Sequence, residues 1–516
     1  MSDVAAGTGS RVAANAAWIM VGDLFGKVAS FVLVVILARG LGQAQYGDFN
    51  FGLSFIALFL QLARWGVEVT TVRVVSADPE ELSEAFVNGL AVRSVLSLLA
   101  LAAAVALSPF FVKDSQTIVA VMILGGALFL DEIRVFFGAF FIAFERMRFN
   151  AIALFINRVL STVLALVVVA LHGGLVPVCV TYLLGSLGAT LSCWVAFRRF
   201  FPPVKRKRIR LASARLLLRN GAAYGFAAFF NMAAFRIDAV MLEGIKGSKQ
   251  VGIYSVAYRF FEPLLFVTWG LASACLPRFV RDDRAGGRTR TYELGMAALL
   301  AFYLPIAAGE PFAGRWIVKG LFGSLYVVAV PAVGWLTAAA ALYGVAHFTR
   351  MALIAYGRRR EILWVAAIAL AVNVGVNAAV IPRYGFVGAA AVTFWTEVAE
   401  CGLLLGYYVT TVDAIHSWRP LAVPVVATVA MALVLVATDA HGAAALGVAA
   451  IAYPAALALA GFLIDRDDAG RIASRVLDRL PGQRPDRPAT ELPPGTSGDA
   501  SLAIEAVEAS EDAGIL

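Results

Sequence analysis

The residues of this chain that could do chemistry are charges placed inside long apolar runs. Asp23 and Lys27 stand four apart, as do Arg64 and Glu68, while Asp131 and Arg134 stand three apart, as do Arg259 and Glu262. At either spacing two side chains share one face of a helix. A charge at the bilayer centre costs roughly 2.5–3.5 kcal/mol on insertion scales, and pairing lowers that cost. Each pair therefore has a purely structural role to set beside a functional one. Arg236 and Asp238 resist the structural role, because residues two apart point to nearly opposite sides of a helix. Asp238 lies seven residues from Asn231, on the same face. Arg93 and Arg158 lack a carboxylate at helical spacing and stand about two turns from a helix end, a place from which both can snorkel. Glu310, Glu397 and Glu400 are titratable. Glu310 and Glu397 are candidates for coupling to protons, with a structural role as the alternative.

Together these groups suit binding better than catalysis. A guanidinium stays protonated and holds phosphate oxygens through two parallel hydrogen bonds, so a surplus of arginine suits an anion. At about 1.5 Å per residue, Asp23 lies roughly 12 Å from the cytoplasmic end of its span and Arg259 roughly 12 Å from the outer end of its own. That spread suits a tall cavity passing a large polar group. Cys179, Cys193, Cys275 and Cys401 lie in apolar spans without metal-ligand or disulfide-framework spacing. No catalytic residue, metal or cofactor is expected.

The elements that must carry these charges are transmembrane helices. The chain has 516 residues, 60% apolar and 15% charged, against about half and a quarter in soluble chains. An all-α integral membrane protein follows. Runs of about 20 apolar residues give about fourteen spans, near 15–39, 48–72, 87–110, 117–143, 151–171, 175–197, 221–243, 251–277, 291–312, 327–355, 361–380, 387–411, 420–438 and 443–464. The first is too long and too charged for a signal peptide's apolar core. Loops after even-numbered spans hold about 21 Lys and Arg against about 6 in the others, which puts them, and both termini, in the cytoplasm. Lys205-Arg206-Lys207-Arg208 then reads as a topology determinant touching anionic lipid, and nucleic acid is not an expected partner.

The basic loop also divides the chain. The expected organisation is a cytoplasmic tail at 1–14, a six-helix bundle at 15–197, a basic linker at 198–220, a second six-helix bundle at 221–411 and two peripheral helices at 412–464. A short surface helix at 465–480 and a disordered cytoplasmic tail complete it to residue 516. An even number of spans per bundle makes the repeat parallel. A short internal match supports duplication. Gly42, Tyr46-Gly47 and Phe49 recur in spacing as Gly247, Val251-Gly252 and Tyr254.

Four stretches carry a family resemblance: VVILARGLGQAQYG at 34–47, RIDAVMLEGIKGSKQVGIYSVAYRF at 236–260, GLFGSLYVVAVPAVGWL at 320–336 and AVNVGVNAAVIPRYGFVGAAAVT at 371–393. In that order they resemble polysaccharide and O-antigen repeat-unit flippases (Wzx-type). Those belong to the superfamily that also holds multidrug antiporters and the lipid II flippase. The resemblance implies two pseudo-symmetric six-helix bundles around a central V-shaped cavity, and alternating access. It implies transfer of an undecaprenyl-diphosphate oligosaccharide from the cytoplasmic to the outer leaflet, for O-antigen (lipopolysaccharide), capsule or exopolysaccharide synthesis. The setting is the bacterial inner membrane, beside membrane lipids, with a polysaccharide polymerase and glycosyltransferases as conceivable partners. The cavity-lining residues it implies are Asp23, Lys27, Arg64, Asn231, Arg236, Asp238, Arg259 and Glu262. Tyr254, Tyr258 and Phe229 could stack on sugars, or serve as core or interfacial residues. Two alternatives stand beside this function: a multidrug or cation antiporter, which needs net acidic groups in its cavity, and a membrane polymerase or glycosyltransferase. The enzyme needs a substantial extramembrane domain that the short outer loops do not supply.

Overall fold

The structure is a computed structural model that describes residues 2–205, 207–285, 289–412 and 415–464, with side chains described over part of these. The expectations for 465–516 lie outside the described residues, as do the side chains of Asp23, Lys27 and Asn231. Among the described residues there is no strand. The helices are α1 (Ser2–Arg64), α2 (Val67–Ala77), α3 (Leu82–Phe111), α4 (Ser115–Ala143), α5 (Arg148–Ala170), α6 (Leu175–Phe200) and α7 (Leu211–Lys246). They continue with α8 (Ser248–Ala285), α9 (Thr289–Phe322), α10 (Val330–Ala355), α11 (Arg359–Thr411), α12 (Arg419–Ala437) and α13 (Ala443–Ile464).

Each expected span falls on one of these helices or on one half of a kinked one, the second running on into α2. The kinks are at Gly42 in α1 (φ 73°, ψ 179°) and Gly385 in α11 (φ 57°, ψ −139°). Positive φ of this kind is open to glycine and costly for other residues. Among the described residues ten helices are long and apolar enough to cross a membrane, α1 and α11 counting once each. The chain is a multi-pass membrane protein.

The expected duplication has a physical counterpart. Gly247, between α7 and α8, adopts φ 81° and ψ 172°, close to the dihedrals of Gly42. The two turns also pack against one another through the next glycines. A Cβ on Gly47 would collide with the Ser248 carbonyl, and one on Gly252 with the Gln43 carbonyl. Each turn thus uses its glycine to admit the other's backbone.

The helices gather into two compact units. One holds the residues up to Val256 with Val374–Ala389, and the other holds Ala257–Asn373 with the described residues from Ala390 onward. In the first unit a phenylalanine core joins α3, α4 and α6. Phe86 stacks on Phe197 at 4.9 Å, and Phe136 meets Phe140 edge-on at 5.2 Å. Phe136, Phe140 and Phe141 are fully buried. In the second unit α12 and α13 lay one face on α9 around Ala313, Met431 and Leu435. Tyr453 donates to the Ala301 carbonyl at 2.7 Å, and the Gly442 amide donates to the Phe312 carbonyl at 2.9 Å. Their other face, with Leu433, Val436 and Ile451, is exposed, as suits helices against lipid.

Gly47→Ala and Gly252→Ala should each lower thermal stability in detergent, because the obstructing atoms are backbone and overpacking of this kind costs about 1–3 kcal/mol. Gly126→Ala, whose Cβ would meet only Leu183 at 3.7 Å, should change little. Equal melting temperatures for all three would contradict the reciprocal packing.

Candidate functional site

A network of charges in the first unit is built where a helix breaks. After Arg64 the chain passes through Trp65 (φ 44°) and Gly66 (φ 67°) before α2 begins. The Trp65 indole N–H donates to the Leu218 carbonyl at 2.8 Å, anchoring the break to α7. The helical spacing that would pair Arg64 with Glu68 therefore does not survive. Arg64 donates to Glu132 of α4, through Nε at 3.0 Å and in a salt bridge from Nη2 at 3.0 Å. Glu68 instead receives Arg93 at 2.6 Å.

Arg93 does not snorkel. It has no exposed surface, binds Glu68 and Glu132 through Nη2, and donates from Nη1 to the Arg64 carbonyl at 3.3 Å. The physical reason is that its carboxylates come from α2 and α4 and were invisible at helical spacing. Two arginines face two glutamates, so the group is neutral when all four are ionised. Its interior is buried, with Arg93 at 0% and Glu132 at 6% side-chain exposure. Its rim is open, with Arg64 at 18% and Glu68 at 28%.

Successive charges on α4 serve different neighbours, because each residue turns about 100° around the helix. Glu132 faces α1 and α3. Asp131 pairs with Arg134 at 3.2 Å, as the spacing predicts, and also accepts from Asn157 of α5 at 3.2 Å and Ser186 of α6 at 3.3 Å. Arg158 lies within electrostatic reach of Tyr182, which α6, a neighbouring helix, again supplies. Asp238 on α7 is buried and accepts from the Tyr254 hydroxyl, while Arg236 is half-buried. Asp48, Glu243, Ser248 and Thr117 form a further hydrogen-bonded group at the two glycine turns.

In the second unit Arg259 pairs with Glu262 at 2.8 Å, with 22% and 26% of their side chains exposed. Arg350, near the end of α10, binds Glu400 of α11 and lies within electrostatic reach of Glu397. Beside it, Tyr343 accepts from the Trp269 indole at 3.0 Å and stacks on His347. Glu310 on α9 is half-buried, and its buried Oε1 has no hydrogen-bond partner.

Of the residues singled out in the sequence, Arg64 and Arg259 stand paired at partly open positions, and Asp238 lies deeper. Tyr254 and Tyr258 are buried, the first against Asp238 and the second against Phe261 at 5.1 Å. Phe229 is half-buried beside Phe230. Glu132, Arg350, Asp48 and Glu243 escaped sequence reasoning. Glu132 had one available signal, a third charge within four residues of an apolar helix. The other three stand beside helix ends, where charge is ordinary.

The chain threads a polar interior through apolar helices, with arginines held by carboxylates from neighbouring helices, and known structures share its fold. The lipid II flippase MurJ in an inward closed conformation matches with a TM-score of 0.73 at 12% identity, over 87% of this chain and 98% of that one. An inward-facing multidrug resistance transporter of the MATE family, in the MOP superfamily, matches with 0.57 at 15%, over 74% and 93%. The MATE multidrug transporter DinF-BH matches with 0.55 at 14%, over 79% and 97%. No curated protein matches. The family described as polysaccharide biosynthesis protein matches residues 12–281, and the chain belongs to that family.

Removing one partner of a buried ion pair costs about 3–5 kcal/mol. Arg93→Ala should therefore cut thermal stability sharply, since it strands Glu68 and Glu132. Adding Glu132→Gln to Arg93→Ala should recover part of the loss. A stable Arg93→Ala protein would show that the network contributes little.

Proposed function

We propose that the chain is a flippase that carries a lipid-linked oligosaccharide, on an undecaprenyl diphosphate, from the cytoplasmic to the outer leaflet of the bacterial inner membrane. The product feeds O-antigen, capsule or exopolysaccharide synthesis, with both termini of the transporter in the cytoplasm. The observation that carries this is the partly open arginine at the rim of a neutral cluster. Arg64 is held by Glu132 in a geometry that a diphosphate oxygen pair can also satisfy. Arg259 offers a second guanidinium in the same condition. A diphosphate-sugar headgroup cannot enter hydrocarbon bare. Guanidinium groups that exchange an internal carboxylate for phosphate oxygens replace its hydration while the prenyl chain stays in lipid. Membership of the polysaccharide biosynthesis family supports this cargo over a cationic drug. Transport by alternating access, Glu310 and Glu397 as coupling groups, and a downstream polymerase with glycosyltransferases belong to the same proposal. So does the assignment of Asp23, Lys27, Asn231, Arg236, Asp238 and Glu262 to the substrate path.

The test is polymer export in cells depleted of the native protein. Losing a charge-assisted hydrogen bond costs about 1.5–3 kcal/mol, so Arg64→Ala, Arg236→Ala and Arg259→Ala should each reduce export about tenfold or more at unchanged membrane abundance. Normal export from all three would reject the role of these arginines.

A further inference from the structure

The two glycine turns enclose a group that ion-pair chemistry does not explain. Asp48 follows Gly47, and Ser248 follows Gly247. Both carboxylates here are buried, Asp48 at 8% and Glu243 at 6% exposure. The Ser248 hydroxyl lies within hydrogen-bond distance of Asp48 Oδ1 and, at 2.8 Å, of Glu243 Oε1. A hydroxyl carries one hydrogen and donates once. With both carboxylates ionised, one of these contacts would set lone pair against lone pair. A proton on Asp48 or Glu243 is the missing donor.

A separate observation points the same way. Glu243 Oε2 is buried and has no hydrogen-bond partner, a condition far more costly for an ionised oxygen than for a neutral acid. No cation offsets the pair among the described residues. The charges that act on the pair from among the described residues are acidic, Asp48 and Glu243 on each other and Asp114 on Asp48. The other groups facing the pair are Thr117, which binds Asp48 at 2.9 Å, and the Cys179 thiol of α6. Lys246 and Lys249 flank the turn and are exposed. The N-terminus of α8 favours one negative charge here but does not neutralise two.

We propose that Asp48 and Glu243 bind one proton between them through Ser248, and that this proton latches the turn at 42–47 to the turn at 247–252. Asp114 is the exposed end of the row. The Thr117 hydroxyl lies 3.1 Å from it and 2.9 Å from Asp48 and donates to one of them at a time, which gives the proton a route to and from bulk water. When the proton leaves, two like charges face each other across Ser248 and the glycine contact is strained. A site that holds a proton in the folded state contributes its stability at low pH and loses it as pH rises. This site is independent of the cargo, so its failure and the failure of the flippase proposal are separable.

The test uses full-length protein in lipid vesicles, with its four cysteines replaced by alanine and spin labels on Ala44→Cys and Lys249→Cys. Pulsed electron-spin resonance reads the distance between labels from roughly pH 5 to pH 9. One short distance is expected at acid pH, with a longer population growing as pH rises. Glu243→Gln and Asp48→Asn, which are neutral at every pH and can donate to Ser248, should each hold the short distance throughout. A wild-type distance that does not change with pH overturns the proposal, as does a pH response in both variants equal to that of the parent. If labelled protein does not fold, thermal stability of the unlabelled chain decides. It should fall with rising pH in the wild type and stay flat in Glu243→Gln, and the same slope in both would overturn the latch.

Discussion

The ion network of the first unit depends on the constraint that a charge set among apolar helices needs partners. Arg93 shows this constraint at its strictest. It has no exposed surface, and it is tolerated because Glu68 and Glu132 reach it from two other helices. For Glu68 to reach it, the helix that carries Arg64 must end at Trp65 and restart after Gly66. For Glu132 to reach it, α4 must hold a fixed rotation, and the phenylalanine core a turn or two further along the same helix supplies that rotation. Backbone break, aromatic core and ion network are therefore one construction.

The same construction suits the chemistry of a lipid-linked anion. An arginine already satisfied by a carboxylate can be kept in the membrane indefinitely, and it can exchange that carboxylate for phosphate oxygens at little net loss of hydrogen bonds. Under the proposed function the exchange would fall to Arg64, which has exposed surface, and not to Arg93, which has none. The second unit repeats the device with other residues, Arg350 gripped by Glu400 and Arg259 paired at a partly open position.

Much of the fold was legible in the sequence because its signals are local. Runs of apolar residues marked the spans, and two glycine turns of matched spacing have near-identical dihedrals at Gly42 and Gly247. The pairs Asp131–Arg134 and Arg259–Glu262 were legible for the same reason, being three apart on one helix. Arg64–Glu68 looked equivalent and was not, because a left-handed residue at a tryptophan breaks the helix where spacing alone assumes it continues. Arg93 with Glu132, Arg158 with Tyr182 and Arg350 with Glu400 were beyond reach. Each joins residues on different helices, and helical periodicity says nothing about which faces meet. The Asp48–Ser248–Glu243 group needed two turns 200 residues apart to be brought together.

The proposed flippase moves a lipid-linked oligosaccharide diphosphate across a bilayer. The most direct test is purified full-length protein in sealed vesicles carrying a fluorescent undecaprenyl-diphosphate oligosaccharide, with an impermeant quencher added outside. The proposal predicts that the quenched fraction rises past the outer-leaflet share at a rate set by the amount of protein, and that Arg64→Ala slows it. A quenched fraction that stays at the value of protein-free vesicles, while the same vesicles accumulate or expel a cationic dye, would contradict it and identify a drug antiporter.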